Sequence, residues 1–154
     1  MSNKTVLVLI ISLLLCLNSL ACSRHDSPKA SQDLSENEPM IKYFLTANPG
    51  RQVIRTACAD LNADGRTDMV IIYQVAPKKN MMRVILDLNG RILATNELPA
   101  PVSNQVIQFK DIDNKPPMEF IVQGSKDASI GYAIFRVEGT RLTDIFGEGM
   151  EDCC

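Results

Sequence analysis

An internal repeat dominates the sequence from residue 52 onward. Asp-Leu-Asn at 60–62, followed by Asp-Met-Val-Ile at 68–71, recurs 51 residues later as Asp-Ile-Asp at 111–113, followed by Glu-Phe-Ile-Val at 119–122. Chance similarity between two β segments does not account well for two acidic loops in register, each leading into an apolar run. The sequence therefore predicts two tandem copies of one structural unit.

Each unit is predicted to contain four short strands. Asn89-Gly90 is the strongest short hairpin signal, and Glu138-Gly139 lies at the matching position of the second unit. Residues 40–45, which end before Asn48-Pro49-Gly50, fit one or two helical turns entering the fold. The runs rich in β-branched and aromatic residues predict strands at 52–59, 69–75, 81–88, 91–97, 104–110, 119–123, 131–138 and 141–146.

These strands predict an all-β fold class of two antiparallel, propeller-blade-like units. A closed propeller ordinarily needs at least four blades, so two units cannot close a ring. The expected architecture is a small sandwich or a two-blade fragment.

Composition excludes several classes of function. The chain of 154 residues has 16 Lys and Arg against 18 Asp and Glu, a formal charge of −2 and no basic stretch. It lacks the electrostatic footprint of a nucleic-acid-binding protein, so no nucleic-acid partner is expected. His25 is the only histidine. An HExxH zinc site, which needs two histidines, is therefore excluded. Ser-His and Cys-His nucleophile pairs are excluded as well because this histidine lies in a solvated segment, and most hydrolase chemistry goes with them.

The N-terminal residues predict export and attachment to a membrane. Residues 1–21 have a basic start and an apolar run shorter than the roughly 20 residues of a bilayer span, as a secretory signal peptide does. Ala21 before Cys22 resembles the end of a bacterial lipobox, although residues 19–20 depart from its usual pattern. Lipidation of Cys22 would hold the protein on the extracytoplasmic side of the cell membrane. Ordinary cleavage nearby and an uncleaved anchor are the alternatives.

The remaining chain is expected to divide into two parts. Residues 22–39 are rich in Ser, Pro and charge and have almost no large apolar side chain, which predicts a disordered tether. Residues 40–154 form the predicted β domain, which ends in a Cys-Cys tail.

The loop at 60–68, Asp-Leu-Asn-Ala-Asp-Gly-Arg-Thr-Asp, predicts a calcium site. It places oxygen side chains at alternate positions, a glycine at the sharp turn and a further carboxylate at the ninth position. Calcium takes six to eight hard oxygen ligands, which such a loop wraps around one point. The alternative is a polar Asx-turn that binds nothing. The predicted ligands are the side chains of Asp60, Asn62, Asp64 and Asp68 and the main-chain carbonyl of Arg66.

This loop resembles the calcium loops of FG-GAP or VCBS repeats more than those of EF-hands. A strand is predicted to follow it, and Ile71 stands at the twelfth position, where an EF-hand has Glu. The resemblance implies that Asp68 completes the site. In the second unit Lys115 and Pro116 replace Asp64 and Gly65. The second loop is therefore predicted to have lost the ion, and Asp111, Asp113 and Glu119 are expected to shape a turn.

Three cysteines follow the tether, namely Cys58, Cys153 and Cys154. Neighbouring Cα atoms are about 3.8 Å apart, whereas disulfides prefer roughly 4.4–6.8 Å, so a bond between the terminal pair would be strained and easily reduced. The acidic tail disfavours thiolates, and a soft metal ion would offset this. The pair is therefore predicted to serve redox exchange or soft-metal binding. A disulfide from Cys58 to one of the pair, which pins the tail, is an equal alternative.

The tail at 147–154, Gly-Glu-Gly-Met-Glu-Asp-Cys-Cys, on a small exported protein resembles the Cys-Cys-COOH (seleno)protein family called SaoC. The resemblance implies that Cys153 and Cys154 are the active positions. It also implies a transport system with thiol or selenol components as the partner. Both positions are cysteine here, so selenol chemistry is not available.

Two functions are consistent with the sequence. The first is a membrane-tethered lipoprotein whose calcium-stabilised β domain presents a terminal dithiol for redox exchange or soft-metal binding, as an accessory to a transport system. The second is a calcium-stabilised binding or scaffold module of FG-GAP character whose cysteines are structural. Whether the protein is an enzyme stays open, with thiol redox activity as the one candidate.

Overall fold

The computed structural model describes residues 38–148 and Cys154. The predicted signal peptide, Cys22, most of the predicted tether and Cys153 lie outside the described residues. In the part that is described, no helix is both long enough and apolar enough to span a bilayer. The elements in chain order are α1 (Glu38–Ala47), β1 (Gln52–Ala59), β2 (Asp68–Ala76), β3 (Lys79–Leu88), β4 (Arg91–Ala94), β5 (Leu98–Ala100), β6 (Ser103–Lys110), β7 (Glu119–Lys126), β8 (Ser129–Glu138) and β9 (Arg141–Glu148).

Helix α1 is longer than predicted by two residues at each end. Pro39 fits its first turn, where a missing N–H costs no helical hydrogen bond. At the other end Asn48 donates from both its main-chain N–H and its side-chain amide to the Phe44 carbonyl, each at 2.9 Å. Pro49 follows and cannot continue the helix. Glu38 and Pro39, which were predicted to belong to the tether, are therefore part of this helix.

The strands form two antiparallel sheets, one from each sequence repeat. Sheet A has the order β1-β2-β3-β4, with β5 pairing farther along β3, and sheet B has the order β6-β7-β8-β9. The predicted hairpin between β3 and β4 is confirmed, since Asn89 and Gly90 have φ angles of 58° and 84°. Positive φ at both central residues is what a type I′ turn requires.

The fourth strand was predicted to span residues 91–97, but β4 ends at Ala94, so the prediction is wrong for residues 95–97. Thr95 keeps its main-chain N–H bonded to the Val84 carbonyl at 2.9 Å, but its hydroxyl, rather than its carbonyl, accepts the Val84 N–H at 3.0 Å. The side chain thus replaces the main chain in the ladder and the strand leaves β3. Pairing resumes at Leu98, which lies opposite Met82.

The two sheets pack face to face around one core, and α1 covers the other face of sheet A. Met40 and Phe44, one helical turn apart, are buried against Met69, Ile71 and Tyr73 of that face. The predicted all-β fold of two four-stranded antiparallel units in a sandwich is confirmed. The core between the sheets contains Ala57, Leu61, Val70, Ile72, Met82, Val84, Leu86 and Ala100 on one side and Ile107, Phe120, Val122, Ala133, Phe135, Val137 and Leu142 on the other.

The two sheets turn opposite faces of the repeat unit toward the core between them. The cross-strand pair Val70–Val84 of sheet A corresponds in the repeat to Ile121–Ile134 of sheet B. Val70 and Val84 lie in the core between the sheets. Ile121 and Ile134 alternate with core residues of β7 and β8, so they lie on the opposite, outer face of sheet B. We call this arrangement same-sense stacking.

Candidate functional site

Side-chain oxygens of the first acidic loop accept hydrogen bonds from main-chain N–H groups of the same loop. The Asp60 carboxylate accepts from the N–H of Asp64 at 3.2 Å and from the N–H of Gly65 at 2.8 Å. The side-chain oxygen of Asn62 accepts from Asp64 N–H at 3.1 Å, and Asp64 accepts from Arg66 N–H at 2.9 Å. Gly65 allows the turn through a φ of 81°. Three of the predicted calcium ligands, Asp60, Asn62 and Asp64, are therefore brought together at the surface.

Asp68 closes this loop from within the fold. Its side chain has no exposed surface, and its two oxygens accept from the N–H of Leu61 at 2.9 Å and of Asp87 at 3.0 Å. Burial raises the pKa of Asp68 to about 6, against the lowering effect of the two amides. Each carboxylate oxygen has two lone pairs, so the amides leave acceptor capacity on both oxygens.

The side chain of Arg66 points away from the loop's carboxylates. It contacts Asp87 at 3.4 Å and donates to the side-chain oxygen of Asn89, so it ties the loop to the β3–β4 turn. Its guanidinium therefore does not neutralise Asp60, Asp64 and Asp68.

The second loop brings three acids closer together than the first. Asp111, Asp113 and Glu119 form the one group of three metal-ligating side chains in the described residues whose ligand atoms all lie within 4.8 Å of one another. Such a group could hold a metal ion. Lys115 and Pro116 led to the prediction that these acids only shape a turn, and their convergence was not predicted.

Arg136 of β8 contacts two of these three acids. Its guanidinium donates to Asp113 at 2.7 Å and also contacts Glu119, whose side chain has no exposed surface. The hydrogen bond from Arg136 lowers the pKa of Asp113 below its usual range. Glu119 also accepts from the N–H of Ile112 at 2.9 Å. A cation supplied by the chain itself thus balances this loop.

The first unit has no counterpart of Arg136. Met69 lies opposite Ile85 and Phe120 lies opposite Phe135, so the position after Ile85, Leu86, corresponds to Arg136. Leu86 is buried in the core between the sheets. The second unit thus has a guanidinium at the position where the first unit has an apolar side chain.

The two described cysteines lie in different parts of the fold. Cys58 of β1 packs near the residues beneath α1 and is a free thiol; burial, with the Asp68 carboxylate nearby, raises its pKa to about 11. The main-chain oxygen of Cys154 accepts from the Lys126 ammonium group at 3.1 Å, at the end of β7. The Cys58 disulfide and the Cys153–Cys154 pair stay predictions, since Cys153 is outside the described residues.

Comparison with known proteins identified no relative of this chain. No protein-family model matches the chain, and no curated protein or solved structure matches it either. The resemblances to SaoC and to FG-GAP or VCBS repeats stay predictions that rest on the residues given above.

Proposed function

We propose that the protein is a calcium-stabilised β-repeat module, tethered to the extracytoplasmic face of a membrane through Cys22. The observation that carries the proposal is the contrast between the two loops. Arg136 balances the carboxylates of the second loop, whereas the guanidinium of Arg66 in the first loop is directed to Asp87 and Asn89. Carboxylates that share one loop and are not paired with a cation of the chain attract a hard cation.

The donors of the first loop suit calcium. Asp60, Asn62 and Asp64 supply oxygen from an exposed turn, and Asp68 adds a carboxylate below it. Main-chain carbonyls and water would complete the six to eight oxygens that calcium takes. A bound ion would also favour the ionised form of Asp68, which burial alone disfavours.

The triad of the second loop is the less favourable place for a cation. An ion there must displace Arg136 from Asp113 and from the buried Glu119, and it would lie in the loop that carries Lys115. The proposal therefore assigns one ion to each chain and places it in the first loop.

Thermal unfolding of the full chain, with calcium or with a chelator, tests the proposal. An ion that binds only the folded state raises the free energy of unfolding by about 2.7 kcal/mol at a hundredfold excess over its dissociation constant. Asp64→Ala should abolish this gain, because it removes an exposed ligand without opening the core. Asp113→Ala, which removes a partly exposed carboxylate of the second loop, should keep it. Equal melting temperatures of the wild type in calcium and in chelator would refute the site.

A second function, presentation of the terminal dithiol, is favoured by one contact. Lys126 places an ammonium group beside the main chain of Cys154, at 3.1 Å from its oxygen. This positive charge partly offsets the acidic tail, which favours chemistry that uses anionic sulfur. Binding of a divalent soft ion by both thiols would form two metal–sulfur bonds and release two protons.

A cadmium titration of the reduced full chain tests this second function, with proton release and the free-thiol count as readouts. Cys153→Ser and Cys154→Ser should each remove tight binding, because one sulfur cannot chelate. Cys58→Ser is the control and should bind as the wild type does. Should Cys58→Ser and the terminal variants instead lose stability equally, and only under oxidising conditions, the cysteines form a structural crosslink.

A further inference from the structure

The outer face of sheet B carries a group of exposed apolar side chains, next to polar ones such as Gln123 and Arg136. Five of the large apolar side chains that are at least one-third exposed belong to this face or its edge: Val106, Ile130, Tyr132, Ile145 and Phe146. Ile130 is 72% exposed and Phe146 is 51% exposed, and the half-buried Ile121 and Ile134 lie between the outer strands. Tyr132 and Phe146 are in ring contact, with 5.9 Å between their centroids. Contiguous patches of this kind mark interaction surfaces.

We propose that this face binds the same face of a second copy of the chain, which gives a closed dimer with a twofold axis. The internal repeat indicates that residues at these positions pack against another sheet. Because the stacking is same-sense, the outer face of sheet B carries the positions that, in sheet A, pack against another sheet. The pair Ile121–Ile134 corresponds to Val70–Val84, which is buried between the sheets.

The structure also limits which surface of a second copy can meet this face. Continued head-to-tail stacking would use the face of sheet A that carries Met69 and Ile71, but α1 covers it with Met40 and Phe44. The sheet face left open in a second copy is then the outer face of sheet B. Contact between identical faces closes on itself as a dimer and does not grow further.

The size of the face is close to that of a standard dimer interface. Four strands about 4.8 Å apart and eight residues long, at about 3.3 Å per residue, cover roughly 19 Å by 26 Å, or about 500 Å² of flat area. The side chains standing on this area add to the accessible surface, which approaches the ~800 Å² per partner of a standard interface.

Other parts of the chain are poor candidates for covering this face. Residues 23–37 have almost no large apolar side chain, and residues 149–153 contain one, Met150. Neither segment supplies the apolar surface that four strands would bury. The apolar run at 5–17 is the remaining segment. If it covered the outer face of sheet B, the chain would stay monomeric.

Sedimentation equilibrium of the full chain, in a density-matched detergent, tests the proposal. We expect a dimer with a dissociation constant in the micromolar range. Ile130→Glu and Phe146→Glu should each raise this constant about 30-fold or more, because a carboxylate would be buried against apolar side chains. The control is Leu45→Glu on α1, where the wild-type side chain is 43% exposed and distant from the face. It should dimerise as the wild type does.

The same measurements can overturn the proposal. A wild-type chain that is still monomeric at 100 times the expected micromolar range would overturn the proposal. This holds whether the face is open or covered by the chain's own N-terminal residues. A dimer that is unaffected by both face variants, or is lost equally in Leu45→Glu, would also do so. Urea unfolding of each variant checks folding, since all three substituted side chains are exposed and the monomer should keep its stability.

Discussion

The Asp68 carboxylate accepts a hydrogen bond from the main-chain amide of Leu61, with 2.9 Å between the two atoms. Glu119 makes the same bond to Ile112 at 2.9 Å. Both acids are fully buried at the start of a strand and close the loop that precedes them. Loop closure is therefore a property of the repeat itself. We expect calcium to tighten a loop that is already formed, and the calcium-free chain to remain folded.

The Arg136 guanidinium should be essential to the second loop. Arg136→Leu leaves the buried Glu119 without its cation, and removing one partner of a buried ion pair typically costs 3–5 kcal/mol. We expect the free energy of unfolding in urea to fall by about 3 kcal/mol. Arg136→Lys keeps the charge and should lose less. A loss below about 1 kcal/mol in Arg136→Leu would show that the pair contributes little.

The same variant should change the response to calcium. Without the guanidinium, the second loop has three converging acids and keeps Lys115 as the cation of its own sequence. The melting temperature of Arg136→Leu should therefore rise more with calcium than that of the wild type. An equal rise in the two proteins would indicate that Lys115 and Pro116 are enough to exclude the ion.

At Gly124, β7 lies close to the segment that links the two sheets. A Cβ at this position would lie 2.3 Å from the Pro101 Cβ and 2.8 Å from the main-chain oxygen of Ser103. Gly124→Ala should lower the free energy of unfolding by about 2–3 kcal/mol, as overpacking does. Gly139→Ala, where no atom lies within 4 Å, is the control and should show only the cost of positive φ, about 1 kcal/mol. Equal losses would show that close packing at Gly124 is unimportant.

A polar cluster on sheet A should contribute to the acid sensitivity of the fold. Glu97 accepts hydrogen bonds from the Tyr73 hydroxyl and from Arg83, the latter at 2.8 Å, and both lower its pKa from the ordinary 4.5. A lowered folded-state pKa means that ionised Glu97 stabilises the fold above pH 4.5 and that this stabilisation is lost as the pH falls through the folded-state value.

Urea unfolding at pH 7 and pH 3 measures this contribution. The free energy of unfolding of the wild type should fall more over this interval than that of Glu97→Gln. Asp144→Asn, a change at an exposed carboxyl of β9, should behave as the wild type does. Identical pH profiles of wild type and Glu97→Gln would mean that solvent screens the cluster.

The sequence predicted the features that depend on neighbouring residues. Asn89-Gly90 forms the expected turn because its backbone preferences are local. The repeat located both acidic loops, since alternation and spacing are visible in the chain itself. The prediction failed at Thr95, because a hydroxyl can replace a main-chain carbonyl only where the partner strand offers the matching N–H.

Arg136 could not be assigned from the sequence. It lies 17 residues after Glu119, and their contact depends on the register between β7 and β8. The exposure of the outer face of sheet B could not be predicted for a similar reason. Alternation shows that a strand has two faces, but only the stacking of the sheets decides which face is covered.

The number of calcium ions bound per chain tests the central claim most directly. Isothermal titration calorimetry of the full chain should give one ion for the wild type, none for Asp64→Ala and one for Asp113→Ala. No bound ion in the wild type, or loss of the ion in Asp113→Ala with retention in Asp64→Ala, would contradict the assignment of calcium to the first loop.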